Sequence, residues 1–300
     1  MLAVASCGSS DLQPIHEPAV DAAVPMAEDG GQGGVGTLPR DAIAPAARAC
    51  KRGIAANVAP SAAFAPTATS PGLSWWYNWA NVPPAGGDGS IEFVPMIWGP
   101  GSLGQSIPSA SKYLLGFNEP NFVSQARLTA QQAASDWPSL EAKASPLGIP
   151  LVSPGVNYCP GSADGGPSGC TEPTVTDPYT YLKNFFADCQ GCKVDYIAVH
   201  WYNCDLPSLR GYIDGDGHFP GFVQFGKPIW LTEFSCNGAA TAVQQKAYMQ
   251  AAVPYLESNP NVMRYAWFSA KNIPNALLAN SDGSLTDLGR TYVSLAQSCP

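Results

Sequence analysis

Two glutamates stand where a strand would stop. Glu119 lies in Gly116-Phe117-Asn118-Glu119-Pro120-Asn121, directly after the apolar run Tyr113-Leu114-Leu115, and Glu233 lies in Trp230-Leu231-Thr232-Glu233-Phe234. Two carboxyl groups in unequal surroundings can divide acid and base work. The protonated one donates to a leaving oxygen, while the ionised one attacks the carbon from which that oxygen departs. A separation of roughly 5 to 5.5 Å gives retention through a covalent intermediate. Either glutamate alone reads as well as a salt-bridge partner at the end of a fold; the pair at matching places favours chemistry.

Such a pair needs a scaffold that presents strand ends to one opening. Eight segments read as strands: Gly53 to Asn57, Leu73 to Trp79, Ile91 to Trp98, Tyr113 to Glu119, Ile149 to Val156, Val194 to Trp201, Pro228 to Phe234 and Met263 to Ser269. Helical periodicity runs over Thr129 to Ala144, Pro178 to Ala187, Ala242 to Leu256, with Pro254 a candidate kink, and Asp287 to Gln297. It is weak after the first three strands. The pattern predicts an α/β fold, a trimmed (β/α)8 TIM barrel forming a single domain over residues 49–300. An open doubly wound sheet fits less well, because no Gly-rich phosphate loop follows the first strand. In a barrel, residues at the C-terminal strand ends face the mouth, so the acids of the fourth and seventh strands would meet across it.

The formal charge is −8 with only 15 Lys plus Arg and no basic stripe, which excludes nucleic acid as the expected partner. No apolar run approaches the roughly 18–20 residues that span a bilayer, so no transmembrane segment is expected. Residues 1–48 read as a truncated signal or lipobox-like segment, Val4-Ala5-Ser6-Cys7, followed by a flexible, disordered tether rich in Gly and Pro. Cys7 is the candidate lipid anchor; a chance apolar start with one cysteine is the plainer reading. The other eight cysteines suit four disulfides and a secreted or cell-surface lipoprotein of a bacterial envelope. Connectivity does not follow from spacing. The expected pairs are Cys50–Cys299, Cys159–Cys170, Cys189–Cys192 and Cys204–Cys236, with the Cys189-Gln190-Gly191-Cys192 spacing also matching a redox CxxC.

Aromatic residues gather at the same strand ends. Trp75, Tyr77, Trp98, Trp201, Tyr202 and Trp267 are candidate contacts for a neutral sugar, whose apolar C–H faces large rings can cover; Trp76 and Trp79 are expected in the packing. His200 is expected to hydrogen-bond a carboxylate or a sugar, with a core role as the other reading. Three histidines in all, one of them in the tether, make no metal constellation, and no cofactor is expected. Asp164, Asp177, Asp214 and Asp216 are assigned to solvent or helix capping, and the segments Asn157 to Thr176 and Leu206 to Phe222 to loops.

Four motifs in order carry a resemblance: Gly116 to Asn121, Val194 to Tyr202 (VDYIAVHWY), Trp230 to Phe234 and Tyr265 to Phe268 (YAWF). Together they resemble glycoside hydrolase family 128, the Asl1-like catalytic domains of clan A, from about residue 50 onward. The resemblance implies retaining hydrolysis within β-1,3-glucan chains, with Glu119 as acid/base, Glu233 as nucleophile and Asn118 bonded to the sugar 2-hydroxyl. It implies a β-1,3-glucan partner; the default oligomeric state is a monomer. Two alternatives stay open, a non-catalytic glucan-binding lipoprotein and a clan A hydrolase of β-1,4-glucan or mannan.

Overall fold

A computed structural model of the chain describes residues 50–86, 89–160 and 169–297. The expected tether, Cys7, Asp164 and Cys299 lie outside them. Eight strands follow in sequence: β1 Arg52–Ala56, β2 Trp75–Tyr77, β3 Glu92–Phe93, β4 Leu114–Leu115, β5 Leu151–Val152, β6 Ile197–Trp201, β7 Ile229–Phe234 and β8 Val262–Ser269. Most of their residues are buried, as parallel strands covered on both faces require. Six strands pair in the order β3-β2-β1-β8-β7-β6, and β4 pairs with β5. Parallel bridges join the two groups: Met96, beyond β3, with Leu115 of β4, and Val152 of β5 with Tyr196, ahead of β6. The order β1 to β8 thereby returns on itself.

The expected strands are longer than the ladders because prolines interrupt them. Pro95, Pro150 and Pro154 cannot donate to a neighbour, so the third to fifth strands shorten to two residues each and continue as isolated bridges.

Five α-helices follow the later strands: α1 Ala130–Ala144, α2 Pro178–Asp188, α3 Leu206–Asp214, α4 Ala242–Ser258 and α5 Asp287–Ser294. Their starts are written in the sequence. Thr129 and Thr241 form capping boxes with Gln132 and Gln244, while Asp177, Asp205 and Thr286 cap the others through N–H groups three residues on. Among the described residues, only short 3-10 turns, at 62–64 and 100–102, occur between the first three strands and α1.

One expectation needs correction here. The Leu206 to Phe222 segment is not all loop, because Asp205 and Pro207 start α3 before Gly215 ends it. Asp214 is exposed, as expected, and its carboxylate also accepts from the Tyr255 hydroxyl at 2.7 Å and from the side-chain amides of Asn259 and Asn261.

The floor of the ring, at the N-terminal strand ends, is a charged cluster. Arg264 of β8 makes a two-pronged pair with Glu92 of β3, at 3.2 and 2.8 Å. Its guanidinium lies over the rings of Tyr113 (4.4 Å), Trp230 (4.9 Å) and Trp75 (5.5 Å).

Three expected disulfides are present, Cys159–Cys170, Cys189–Cys192 and Cys204–Cys236. Cys50 is also disulfide-bonded.

Candidate active site

The C-terminal strand ends bring Glu119, His200 and Glu233 together, all buried. One ligand atom from each lies within 4.8 Å of the others, so the two carboxylates share one small space. Glu119 sits on the turn after β4, with its backbone N–H bonded to Gly155 at 2.7 Å and its carbonyl accepting from Phe122 at 2.9 Å. Its φ of 40° is left-handed, a conformation that costs a residue with a side chain on the order of 1–3 kcal/mol and gathers at functional sites. Trp79, φ 60°, is the second such residue at the mouth.

His200 Nδ1 lies 2.9 Å from Glu119 Oε1 and 3.4 Å from Glu233 Oε2, bridging the pair. Burial opposes a charged imidazole, but the charge of Glu233, then the hydrogen bond and charge of Glu119, outweigh it, and the pKa rises above the ordinary value. Gly155 leaves room for the ring: a Cβ there would stand 3.0 Å from Nε2.

Three donors and the imidazole surround Glu233. Trp79 Nε1 donates to Oε1 at 2.7 Å, Tyr77 Oη lies 3.2 Å from the same oxygen, and the Tyr202 hydroxyl donates to Oε2, which His200 also faces. Burial raises the Glu233 carboxyl above its ordinary value. The positive charge of His200 pulls against this, the Glu119 charge adds to it, and the bonds from Tyr202 and Trp79 lower it again, leaving a net upward shift. Burial and then the charge of Glu233 push both tyrosine hydroxyls well up, so they remain protonated donors. Glu119, His200 and Glu233 also have the ligand types and spacing of a metal site. Three of the four carboxylate oxygens, however, already accept from hydroxyl, indole, amide or imidazole groups, as in a proton network.

Asn118 is buried beside Glu119, and its Oδ1 has no partner among the described residues. A buried acceptor left open in this way suits a ligand hydroxyl. Trp98 is half-buried at the mouth, and its carbonyl accepts from Asn118 N–H at 2.9 Å.

Three aromatic residues expected at the sugar are instead core. Trp75 belongs to the floor, with its indole bonded to the Lys51 carbonyl. Trp201 follows His200, so it points to the opposite face, packing on Tyr212 of α3 at 4.8 Å and donating to Asn203. Trp267 points outward too, against Phe234 and Tyr292, and bonds the Ala276 carbonyl. Trp79 errs the other way: expected in the packing, it is only partly buried and holds Glu233. Trp76 packs edge-on against Phe93. One site residue was passed over entirely. Asn157 donates from Nδ2 to Glu119 Oε1 at 3.2 Å, and the strand-end logic that singled out Glu119 applies equally to the residue after Val156.

A family model described as the glycosyl hydrolase catalytic core matches residues 53–292. A subgroup II family 128 endo-β-1,3-glucanase structure from Sorangium cellulosum is 38% identical; the match covers 82% of this chain and 99% of that one, with a TM-score of 0.66. A point mutant of the subgroup I endo-β-1,3-glucanase from Amycolatopsis mediterranei, in complex with laminarihexaose, is 26% identical, with 82% and 99% coverage and a TM-score of 0.62. Alkali-sensitive linkage protein 1 of Schizosaccharomyces pombe is 28% identical over 264 residues, which are 81% of this chain and 44% of that protein. The chain thus spans under half the length of that curated relative. With a family model over most of its length and a 38%-identical relative covered almost end to end, the chain belongs to the glycosyl hydrolase catalytic core family, as a member of glycoside hydrolase family 128.

Proposed function

We propose that the protein is a retaining glycoside hydrolase that cleaves β-1,3-glucan within its chains. The observation that carries this reading is the buried carboxylate pair, whose oxygens lie within 4.8 Å and bridge through one imidazole. That spacing suits direct attack and leaves too little room for the activated water of an inverting enzyme. Glu233, ringed by donors that hold its lone pairs in place, attacks the anomeric carbon. As that bond forms, the glycosidic C–O bond breaks, and the proton of Glu119 passes to the departing sugar oxygen. Water then gives a proton back to Glu119 and attacks the same carbon, and the bond to Glu233 breaks. Asn118 Oδ1 accepts from the sugar 2-hydroxyl, a contact that strengthens as charge develops on the ring. The laminari-oligosaccharide held by the Amycolatopsis relative, and the endo action of both structural relatives, support the substrate and the mode.

Three disulfides among the described residues support an oxidising location outside the cytoplasm, with Cys7 as the proposed lipid anchor and a monomer as the working unit. No helix among the described residues is long and apolar enough to cross a membrane.

The test is hydrolysis of laminarin, a soluble β-1,3-glucan, by the wild type beside Glu119→Gln and Glu233→Gln. The wild type should release a ladder of short oligosaccharides, and both variants should lose at least about a thousandfold in kcat. Binding without cleavage by all three would refute the enzyme reading. Because Glu233 is shifted upward, the acid limb of wild-type kcat/KM should lie above the ordinary carboxylate range.

A further inference from the structure

Asn157 is held on both sides of its contact with Glu119. Its Oδ1 accepts the Tyr158 N–H at 2.8 Å, which turns Nδ2 toward Glu119 Oε1, and its carbonyl accepts from Asn121 Nδ2 at 2.6 Å. Asn121, two residues past Glu119, is itself buried. The turn bearing Glu119 and the loop bearing Asn157 are stitched together. Thr171 bonds Asn121 and Pro120, Val123 N–H bonds Gly169, and the Cys159–Cys170 disulfide closes the loop behind them.

Glu119 Oε1 therefore receives two donors, Asn157 Nδ2 and His200 Nδ1. Oε2 receives none among the described residues. An oxygen whose lone pairs face two N–H groups is a poor place for a proton, and the bare oxygen is a good one. We propose that Asn157 is a positioning residue for the reaction: with His200 it occupies Oε1, so that the transferable proton rides on Oε2. When the Oε2–H bond breaks and the proton joins the leaving oxygen, the same two donors stabilise the carboxylate left behind. In the second half of the reaction the proton from water returns to Oε2. This inference rests on the hydrolase reading above.

The test compares wild type, Asn157→Ala and Asn157→Asp, reading kcat/KM against pH on laminarin and on an aryl β-1,3-linked glucobioside with a nitrophenolate leaving group. In Asn157→Ala the ionisable groups around Glu119 are unchanged: His200 and Tyr202 from β6 and its end, Glu233 from β7, Tyr77 from β2 and Tyr212 from α3. Loss of a donor to the ionised carboxyl should move the basic limb upward by about one pH unit in Asn157→Ala, and lower kcat/KM on laminarin about tenfold. Asn157→Asp keeps the volume and the acceptor for Tyr158 N–H but faces a carboxylate with a carboxylate, so its limb should move further. On the aryl substrate, whose leaving group needs no proton, both variants should stay within about twofold of wild type. A basic limb unmoved in both variants, or equal losses on both substrates, would overturn the proposal while leaving an active wild type intact. A wild type inert on both substrates would instead remove the hydrolase reading and this one with it.

Discussion

The ring holds two buried charged clusters, one at each end of its strands, and they follow opposite rules. At the floor, Arg264 meets Glu92 through two hydrogen bonds while aromatic rings cover the guanidinium, so each charge has its counterpart. At the mouth, two carboxylates share one imidazole, and both glutamates and their turns sit in strained or crowded surroundings. The floor is balanced without a ligand. The mouth sets two carboxyl groups against one imidazole, and the ionised Glu233 answers the positive charge that develops on a sugar ring as the leaving group departs. Both clusters are buried, so burial does not separate structure from chemistry; the charge balance within each does.

That contrast can be broken by experiment. The largest expected effect is at the floor. Glu92→Ala leaves the Arg264 guanidinium buried without its counter-ion and should cost about 3–5 kcal/mol of stability, read as the chemical-denaturation midpoint, with kcat preserved in whatever remains folded. A loss of kcat at full stability would erase the distinction between the two ends. Next comes Trp79→Phe, which keeps the ring packing on Tyr77 and Phe268 but removes the donor to Glu233; kcat/KM on laminarin should fall about tenfold. Trp267→Phe, altering an outward-facing ring, should leave KM and kcat within about twofold while lowering Tm.

The smallest effect is a gain. The folded state holds Glu233 and His200 with raised pKa values, so the stability they contribute is complete below their unfolded values and is lost as pH rises through the folded ones. Glu233→Gln, though inactive, should therefore melt higher than wild type, and by more near pH 8 than near pH 5, in calorimetry. A gap that closes as pH rises would reverse the sign of this argument.

The two glutamates and the strand order were legible because short apolar runs recur eight times with their turns, and an acid at the end of two of them is a local signal. Depth and facing were not. Trp75 and Tyr77 share a strand face, but two residues of rise separate the floor from the mouth, and composition does not record that depth. Trp201 could have been placed outward once His200 was placed inward, by alternation alone. Trp79 was hidden because its left-handed backbone breaks that alternation. The third helix was obscured by Gly215, Gly217 and Pro220, which belong to the turn after it rather than to the helix. The 1–48 segment, with the proposed anchor at Cys7, lies outside the described residues.

The pairing of β1 with β8 also constrains how the chain can be made. Arg52 and Gly53 align with Tyr265 and Ala266, and Arg52 reaches further, to the carbonyls of Tyr292 and Ala296. These contacts span more than 200 residues, so loop-closure entropy makes them slow to form. A nascent chain emerging from the ribosome can build hairpin-like strand-helix units as it lengthens, but until residue 269 is out it exposes β1 and β7 as two unpaired edges. Truncation late in translation therefore yields an open, sticky sheet rather than a smaller working domain.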